Sequence, residues 1–334
     1  MEWVIKNNET LKPLVSRDSP VCLDLFAGCG GLGLGFEAAG FYTFGYEIDR
    51  SASETYQSNL HGICNNDLVS VGLPVPEADI VIGGPPCQPF SVGGKQLGPR
   101  DSRDGFPSFL DIVERVNPAI VLIENVRGMA YRNKGYLGQV LMELENLGYL
   151  TSSKLLNAVK FDVPQNRERT IIIGTKVGWT WPSLTSNSTV TAMQAIGDTA
   201  HLHSGESKWL TSSMDAYIAK YEKASKCINP RDLDLSRPSR TVTCRNLGGA
   251  TGDMMRVRLP DGRRRRLTHR EAARIQSFPD WFRFRGSEYK VFEQIGNAVP
   301  PRLALALGKS CMSHLMAPTS AILDEYEAQT SLQI

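Results

Sequence analysis

The chain has no apolar run approaching the ~20 residues that a membrane-spanning helix needs. Its start, Met1-Glu2-Trp3-Val4, lacks the basic-then-apolar form of a signal peptide. An intracellular, cytoplasmic protein is therefore expected. The seven cysteines, Cys22, Cys29, Cys64, Cys87, Cys227, Cys244 and Cys311, contain no C-x-x-C pair, which argues against a disulfide framework and against a zinc site. His201 and His203 have no cysteine or acid at ligand spacing, so they read as loop histidines and no metal is expected. Net charge is also nearly absent, at +2, and alone points to no partner. What the chain does have is length and apolar content. Its 334 residues, 41% hydrophobic, suffice for one large domain or two of ordinary size.

The small net charge conceals an uneven distribution. Between Arg231 and Lys290, 15 Arg plus Lys face 7 Asp plus Glu, an excess of eight, so with +2 overall the rest of the chain carries −6. A basic segment of this kind is the electrostatic footprint of phosphate binding. Its preference for arginine over lysine suits bidentate contacts to phosphates and base edges. Arg245 and the run Arg263-Arg264-Arg265 are the candidates.

The segment Gly83-Gly84-Pro85-Pro86-Cys87-Gln88-Pro89-Phe90-Ser91 follows the apolar run Ala78-Asp79-Ile80-Val81-Ile82. Its prolines fix φ and remove backbone donors, so neither a central strand nor a helix continues through it. A strand ending there places Cys87 at the carboxyl end of a sheet, where open α/β sheets bind ligands. The residues around it are Gly, Pro and Gln instead of an apolar periodic run, which disfavours a thiol used only for packing. Ser91 to Gly105 is glycine-rich and charged, with the composition of a loop and the length of a lid.

Earlier in the chain, Val21 to Phe26 reads as a buried strand, followed by Ala27-Gly28-Cys29-Gly30-Gly31-Leu32-Gly33 and a helix ending near Gly40. Strand, glycine loop and helix start form a nucleotide cradle, in which glycines admit close backbone approach and the helix start offers N–H groups. The G-x-G-x-x-G spacing of Gly28, Gly30 and Gly33 alone does not select a cofactor. The next strand, Phe44 to Ile48, carries Glu47, suited to a ribose diol. Ala119 to Ile123 reads as a parallel strand buried on both faces and ends at Glu124-Asn125-Val126. Tyr136 to Leu147 has helical spacing, and Tyr149 to Val159 returns as strand. Gln165-Asn166-Arg167-Glu168-Arg169 then leads into the strand Thr170 to Gly174, with alternation placing Arg167 and Arg169 on one face. Residues 1 to 19 read as an extended arm or short helix. Thr268 with Glu271 forms a capping box before an apolar-periodic helix.

These segments, in this order, resemble the DNA (cytosine-5) methyltransferases of prokaryotic restriction-modification systems. The resemblance covers about residues 20 to 175 and 265 to 315. It rests on Asp24-Leu25-Phe26-Ala27-Gly28-Cys29-Gly30-Gly31-Leu32, the Pro85-Pro86-Cys87 segment, Glu124-Asn125-Val126, Gln165-x-Arg167-x-Arg169 and Gln294-Ile295-Gly296-Asn297. It implies an α/β fold, the Rossmann-like doubly wound sheet of S-adenosylmethionine-dependent methyltransferases, with a second, smaller target-recognition domain. The expected division is 1–175 plus 291–334 for catalysis and cofactor, and 176–290 for recognition.

By the same resemblance Cys87 is the nucleophile, and Glu124, Arg167 and Arg169 complete the catalytic set. S-adenosylmethionine would meet Phe26, Gly28, Cys29, Gly30, Gly31, Glu47, Ile48, Asp67, Leu68, Pro85 and Asn297. Double-stranded DNA would meet Gln88 and Ser91 as well as Arg245, Arg263, Arg264 and Arg265. A monomer is expected. A tRNA-methylating branch of the family and a DNA-binding regulator with vestigial catalytic machinery are the alternatives. The first lacks its Cys-Phe-Thr signature here, and the second is disfavoured because every motif is intact.

Overall fold

Runs such as Ile80-Val81-Ile82 and Ile120-Val121-Leu122-Ile123 are apolar at every position, the pattern of strands covered on both faces. A computed structural model of the chain describes residues 1–86, 104–184, 189–201, 208–226, 231–248 and 252–317. Cys87, Gln88, Ser91, most of the expected lid, His203, Cys227 and residues 318–334 lie outside the described residues. The chain divides into two compact units.

The first unit comprises Pro13–Asn157, Glu168–Ser183 and the chain from Ala304. Its strands are β1 (Val21–Leu25), β2 (Tyr42–Tyr46), β3 (Ile63–Asn65), β4 (Ile80–Gly83), β5 (Ile120–Val126), β6 (Leu150–Asn157) and β7 (Glu168–Thr175), in the spatial order β3-β2-β1-β4-β5-β7-β6. The pairs from β3 to β5 are parallel, and β7 runs antiparallel to both β5 and β6. This is the expected doubly wound sheet. Strand order reverses between β1 and β4, which opens a crevice at their carboxyl ends.

Both faces of the sheet are covered. Leu23, Leu25, Val81, Val121 and Ile123 join Phe109, Ile112, Val113 and Leu144 from the helices Phe106–Val116 and Lys134–Asn146 in one buried cluster. The alternate residues Ile80, Ile82, Ile120 and Leu122 point the other way and are also fully buried. The helix Gly31–Ala38 packs so closely on the chain after Ala304 that a Cβ on Gly35 would stand 2.4 Å from the Ala304 Cβ.

The second unit comprises Met1–Lys12, Ala158–Arg167 and Leu184–Leu303. It holds the helices Glu2–Thr10, Ala192–Ala200, Ser212–Ala224, Cys244–Gly248, His269–Ile275 and Glu288–Asn297, with a two-stranded ribbon of β8 (Arg256–Arg258) and β9 (Arg264–Arg266). The amino-terminal residues form a docked helix and no extended arm: Asn7 Nδ2 donates to Ser277 O at 3.1 Å, and Trp281 Nε1 donates to Asn8 O at 3.1 Å. The unit thus gathers residues 1–12 and 158–167, and it holds the whole helix Glu288–Asn297, which the expected boundary after residue 290 divides. The Thr268–Glu271 capping box forms at the start of His269–Ile275, with both reciprocal bonds present.

Candidate active site

The turn after β1 shows local strain. Phe26 adopts φ +56°, uncommon for a bulky residue and frequent where function over-determines the backbone. Gly28 follows at φ +57° with nothing within 4 Å of where a Cβ would be, so its outer side is open. Gly30 begins the helix Gly31–Ala38 at φ +88° without a side-chain cap. A helix start without a side-chain cap can present backbone N–H to a ligand.

Glu47, just past β2, braces this loop. Its Oε2 accepts the Gly28 N–H at 2.8 Å and its Oε1 accepts the Asp49 N–H at 2.7 Å. Burial pushes its pKa up, with those two N–H groups opposing. The strand stops before Glu47 because Asp49 caps the helix Arg50–Gln57 through the Ala52 N–H. Ile48 and Leu68 are large apolar side chains left 64% and 54% exposed, and Asp67 is exposed with them. Two apolar flanks, a nearby acid, an open glycine and an uncapped helix start suit an adenosine-bearing ligand with a charged tail. The residues present fit S-adenosylmethionine. Cys29 is an exception within the expected set: its side chain is buried and burial pushes the thiol up to about 12, so it offers a ligand backbone alone.

At the end of β4, Gly83 pairs with Leu25 of β1 and with Ile123 of β5. The chain then leaves through Gly84, Pro85 and Pro86 toward Cys87. Asn125 Nδ2 donates to Pro85 O at 3.1 Å, and the Gly105 N–H donates to Pro86 O at 3.1 Å. A Cβ at Gly105 would lie 2.5 Å from Pro86 and 2.8 Å from the Phe26 ring. The strained turn after β1 and the exit of β4 are thereby packed together at the switch point.

Glu124 and Arg169 meet at the same edge. Arg169 Nε lies 2.7 Å from Glu124 Oε1, with both side chains 12% exposed. The Glu124 carboxylate also borders Gly84, whose Cβ position is 3.3 Å from Oε2. Desolvation lowers the Arg169 pKa and the adjacent carboxylate opposes this. A nearly buried acceptor and a planar donor stand side by side next to the residues that lead into Cys87.

Arg167 does not share a site with Arg169, although alternation set the two on one face. It is 1% exposed and donates to the carbonyls of Val242 at 2.7 Å, Gly296 at 3.1 Å and Ala298 at 2.9 Å. Its guanidinium fastens backbone within the second unit. Gln165 and Gln276 extend that buried network: Gln165 Nε2 donates to Gln276 Oε1 at 2.7 Å, and Gln276 Nε2 donates to Ile295 O at 2.6 Å. The clamp flanks Asn297, whose own side chain is exposed.

The arginine run is mostly structural. Arg265 is buried, paired with Glu271 at 2.7 Å and bonded to the carbonyls of Thr199 and Ala200. Arg264 pairs with Asp215 and Asp232, at 2.9 and 3.0 Å, and is 16% exposed. The strand β9 turns these residues inward against acids that lie far from them in sequence. Of the three, only Arg263 is substantially exposed, beside Asp261 and over the Trp209 ring. Arg245 is 76% exposed. The sequence reading missed Asn125 as the anchor of Pro85, although its place in Glu124-Asn125-Val126 marked it. It also missed Asp253, which faces three arginines and carries no local signal. Among the described residues no group of three or more His, Cys, Asp or Glu could hold a metal ion, and no helix is long and apolar enough to cross a membrane.

Residues 21–313 match the family model described as C-5 cytosine-specific DNA methylase. The type II methyltransferase M.AplI of Arthrospira platensis is 56% identical over 292 residues, covering 87% of this chain and 85% of that protein. M.NgoFVII, a type II methyltransferase of Neisseria gonorrhoeae, is 33% identical over 333 residues, covering 89% and 87%. Among solved structures, the S. pombe Dnmt2 methyltransferase aligns with a TM-score of 0.68 at 17% identity, over 90% of this chain and 100% of that one. That last likeness concerns the fold.

Proposed function

The chain belongs to the C-5 cytosine-specific DNA methylase family, and from that premise we propose that it methylates carbon 5 of a cytosine within a short duplex DNA sequence, using S-adenosylmethionine and a covalent adduct to Cys87. The enzyme is a DNA (cytosine-5) methyltransferase. The observation that carries the assignment of roles is the Glu124–Arg169 pair, 2.7 Å apart at the carboxyl edge of the sheet, bordering Gly84 three residues before Cys87.

Cytosine carbon 5 is a poor nucleophile until a thiolate adds at carbon 6 and makes the ring enamine-like. Cys87 supplies that thiolate. Glu124 shares a proton with ring nitrogen 3 and accepts from the exocyclic amine, and the Arg169 guanidinium donates to the carbonyl oxygen. Together they offset the charge that enters the ring as the carbon–sulfur bond forms. The two groups are held in place before substrate arrives, so little reorganisation accompanies the reaction. Bound S-adenosylmethionine supplies an electrophilic methyl group. Glu47, Ile48, Asp67, Leu68 and the Phe26–Gly31 turn bind it. Carbon 5 takes the methyl group and then loses its proton to a base, and the electron pair left behind expels Cys87. A base inside a stacked duplex cannot reach such a site, so the cytosine is extruded at a cost of a few kcal/mol.

The test is to incubate the protein with unmethylated duplex DNA and S-adenosylmethionine and to sequence the product for 5-methylcytosine at single-base resolution. Modification at one short motif is expected. Unmodified DNA alongside methylated tRNA in a parallel reaction would overturn the DNA assignment.

A further inference from the structure

Arg237, Arg256, Arg263, Arg264, Arg265 and Arg274 of the basic segment pair with carboxylates at 2.5–3.0 Å. Three instead converge on one. Arg231 Nε lies 3.8 Å, Arg240 Nη1 3.3 Å and Arg245 Nε 3.8 Å from the carboxylate of Asp253. Arg240 Nη2 also donates to the Asp253 carbonyl at 2.5 Å, which fixes its plane. The Arg231 Nε is buried and has no hydrogen-bond acceptor at bonding distance among the described residues. A buried donor left in that state costs free energy until an acceptor arrives. The positive charges also repel one another: besides desolvation, Arg231 and Arg256 lower the Arg240 pKa, against the pull of Asp253.

We propose that Arg231, Arg240 and Arg245, gathered on Asp253, form a subsite for one phosphodiester of the DNA backbone. The inference rests on the reading of duplex DNA as substrate. Three guanidiniums against one carboxylate leave a local charge of about +2. A phosphodiester brings one negative charge and two non-bridging oxygens, the acceptor geometry that guanidinium forks match. One such oxygen completes the Arg231 Nε donor. Asp253 holds the guanidiniums together in the free protein, so less side-chain freedom is lost on binding. It also competes with the incoming phosphate for the same donors. Arg245, at 76% exposure, is the arm that reaches outward. Phosphate contacts carry no sequence information, so this subsite strengthens binding to all duplexes alike and leaves base reading to other residues.

The experiment measures equilibrium affinity by fluorescence anisotropy over a series of salt concentrations. It uses one labelled duplex that carries the methylated sequence and one of scrambled sequence, with methyl transfer followed on the same DNA. Arg245→Gln is expected to weaken both duplexes by a similar factor, roughly three- to tenfold at low salt. It should also reduce the slope of log affinity against log salt by about one. Asp253→Asn keeps the side-chain shape and removes the competitor, and is expected to tighten both duplexes about two- to fivefold. Arg245→Gln with unchanged affinity and slope overturns the subsite. So does a loss confined to the methylated sequence, or an Asp253→Asn variant that weakens both duplexes. In each of those cases a wild-type enzyme that still methylates DNA leaves the proposed function standing. A wild type that neither binds nor methylates DNA removes the functional reading and the subsite with it.

Discussion

Asp24 is wholly buried on β1, and neither of its oxygens has a donor at hydrogen-bond geometry among the described residues. Burial pushes its pKa well up, the Glu47 charge adds to this, and the nearby Gly33 N–H, outside good hydrogen-bond geometry, offsets part. For an acid whose folded pKa is raised, the contribution to stability is full below the unfolded value of about 4 and is lost as pH rises through the folded value. Asp24→Asn removes that loss. Its melting temperature is expected to exceed that of the wild type by a few degrees at pH 7 to 8, with the advantage shrinking toward pH 4. Melts that show a pH-independent difference, or a lower temperature at neutral pH, would contradict this. Cys87 is a matter of reactivity. Cys87→Ser leaves a hydroxyl far less nucleophilic than a thiolate and is expected to lower turnover at least about a thousandfold. DNA binding should persist in a gel-shift assay, and retained turnover would remove Cys87 from the mechanism.

The helix His269–Ile275 shows how one side chain joins elements. Glu271 Oε2 accepts the Thr268 N–H at 2.9 Å to close the capping box. The same carboxylate pairs with Arg265 of β9 at 2.7 and 2.8 Å and accepts the Thr199 hydroxyl at 3.0 Å. Helix start, ribbon and the helix Ala192–Ala200 thus share a fully buried carboxylate. Glu271→Gln can still cap the helix, but it leaves Arg265 charged and uncompensated. A loss of about 3–5 kcal/mol is expected from urea denaturation, and a variant as stable as the wild type would show that the pair contributes no more than a neutral hydrogen bond. The capping role was legible from Thr268 and Glu271, three residues apart. The pairing with Arg265 was not, because a run of four arginines looks the same in sequence whether its side chains face solvent or acids.

For the whole molecule, charge placement outweighs net charge. The overall +2 coexists with an excess of eight between Arg231 and Lys290. DNA affinity is accordingly expected to fall steeply with ionic strength, by an order of magnitude or more between about 50 and 200 mM salt. Anisotropy titrations check this, and a flat salt response would mean that phosphate contacts contribute little.

Most of the sheet was readable in advance. Uninterrupted apolar runs mark β4 and β5, glycines mark the turn after β1, and prolines end β4 ahead of Cys87. Each of these is a local consequence of residue type, since φ, backbone donors and burial preference belong to the residue itself. Residue order likewise determined that Cys87 comes after β4, that Glu124 stands near the carboxyl end of β5 and that Arg169 stands near the start of β7. The long-range partners were decided only by tertiary structure. Arg169 finds Glu124, whereas Arg167, two residues earlier, binds the carbonyls of Val242, Gly296 and Ala298. Arg264 and Arg265 turn inward, while Arg231, Arg240 and Arg245 converge on Asp253. Every arginine carries the same charge and fork, so what distinguishes them is which acceptors the fold brings within about 3 Å, and that depends on chain segments up to 131 residues apart.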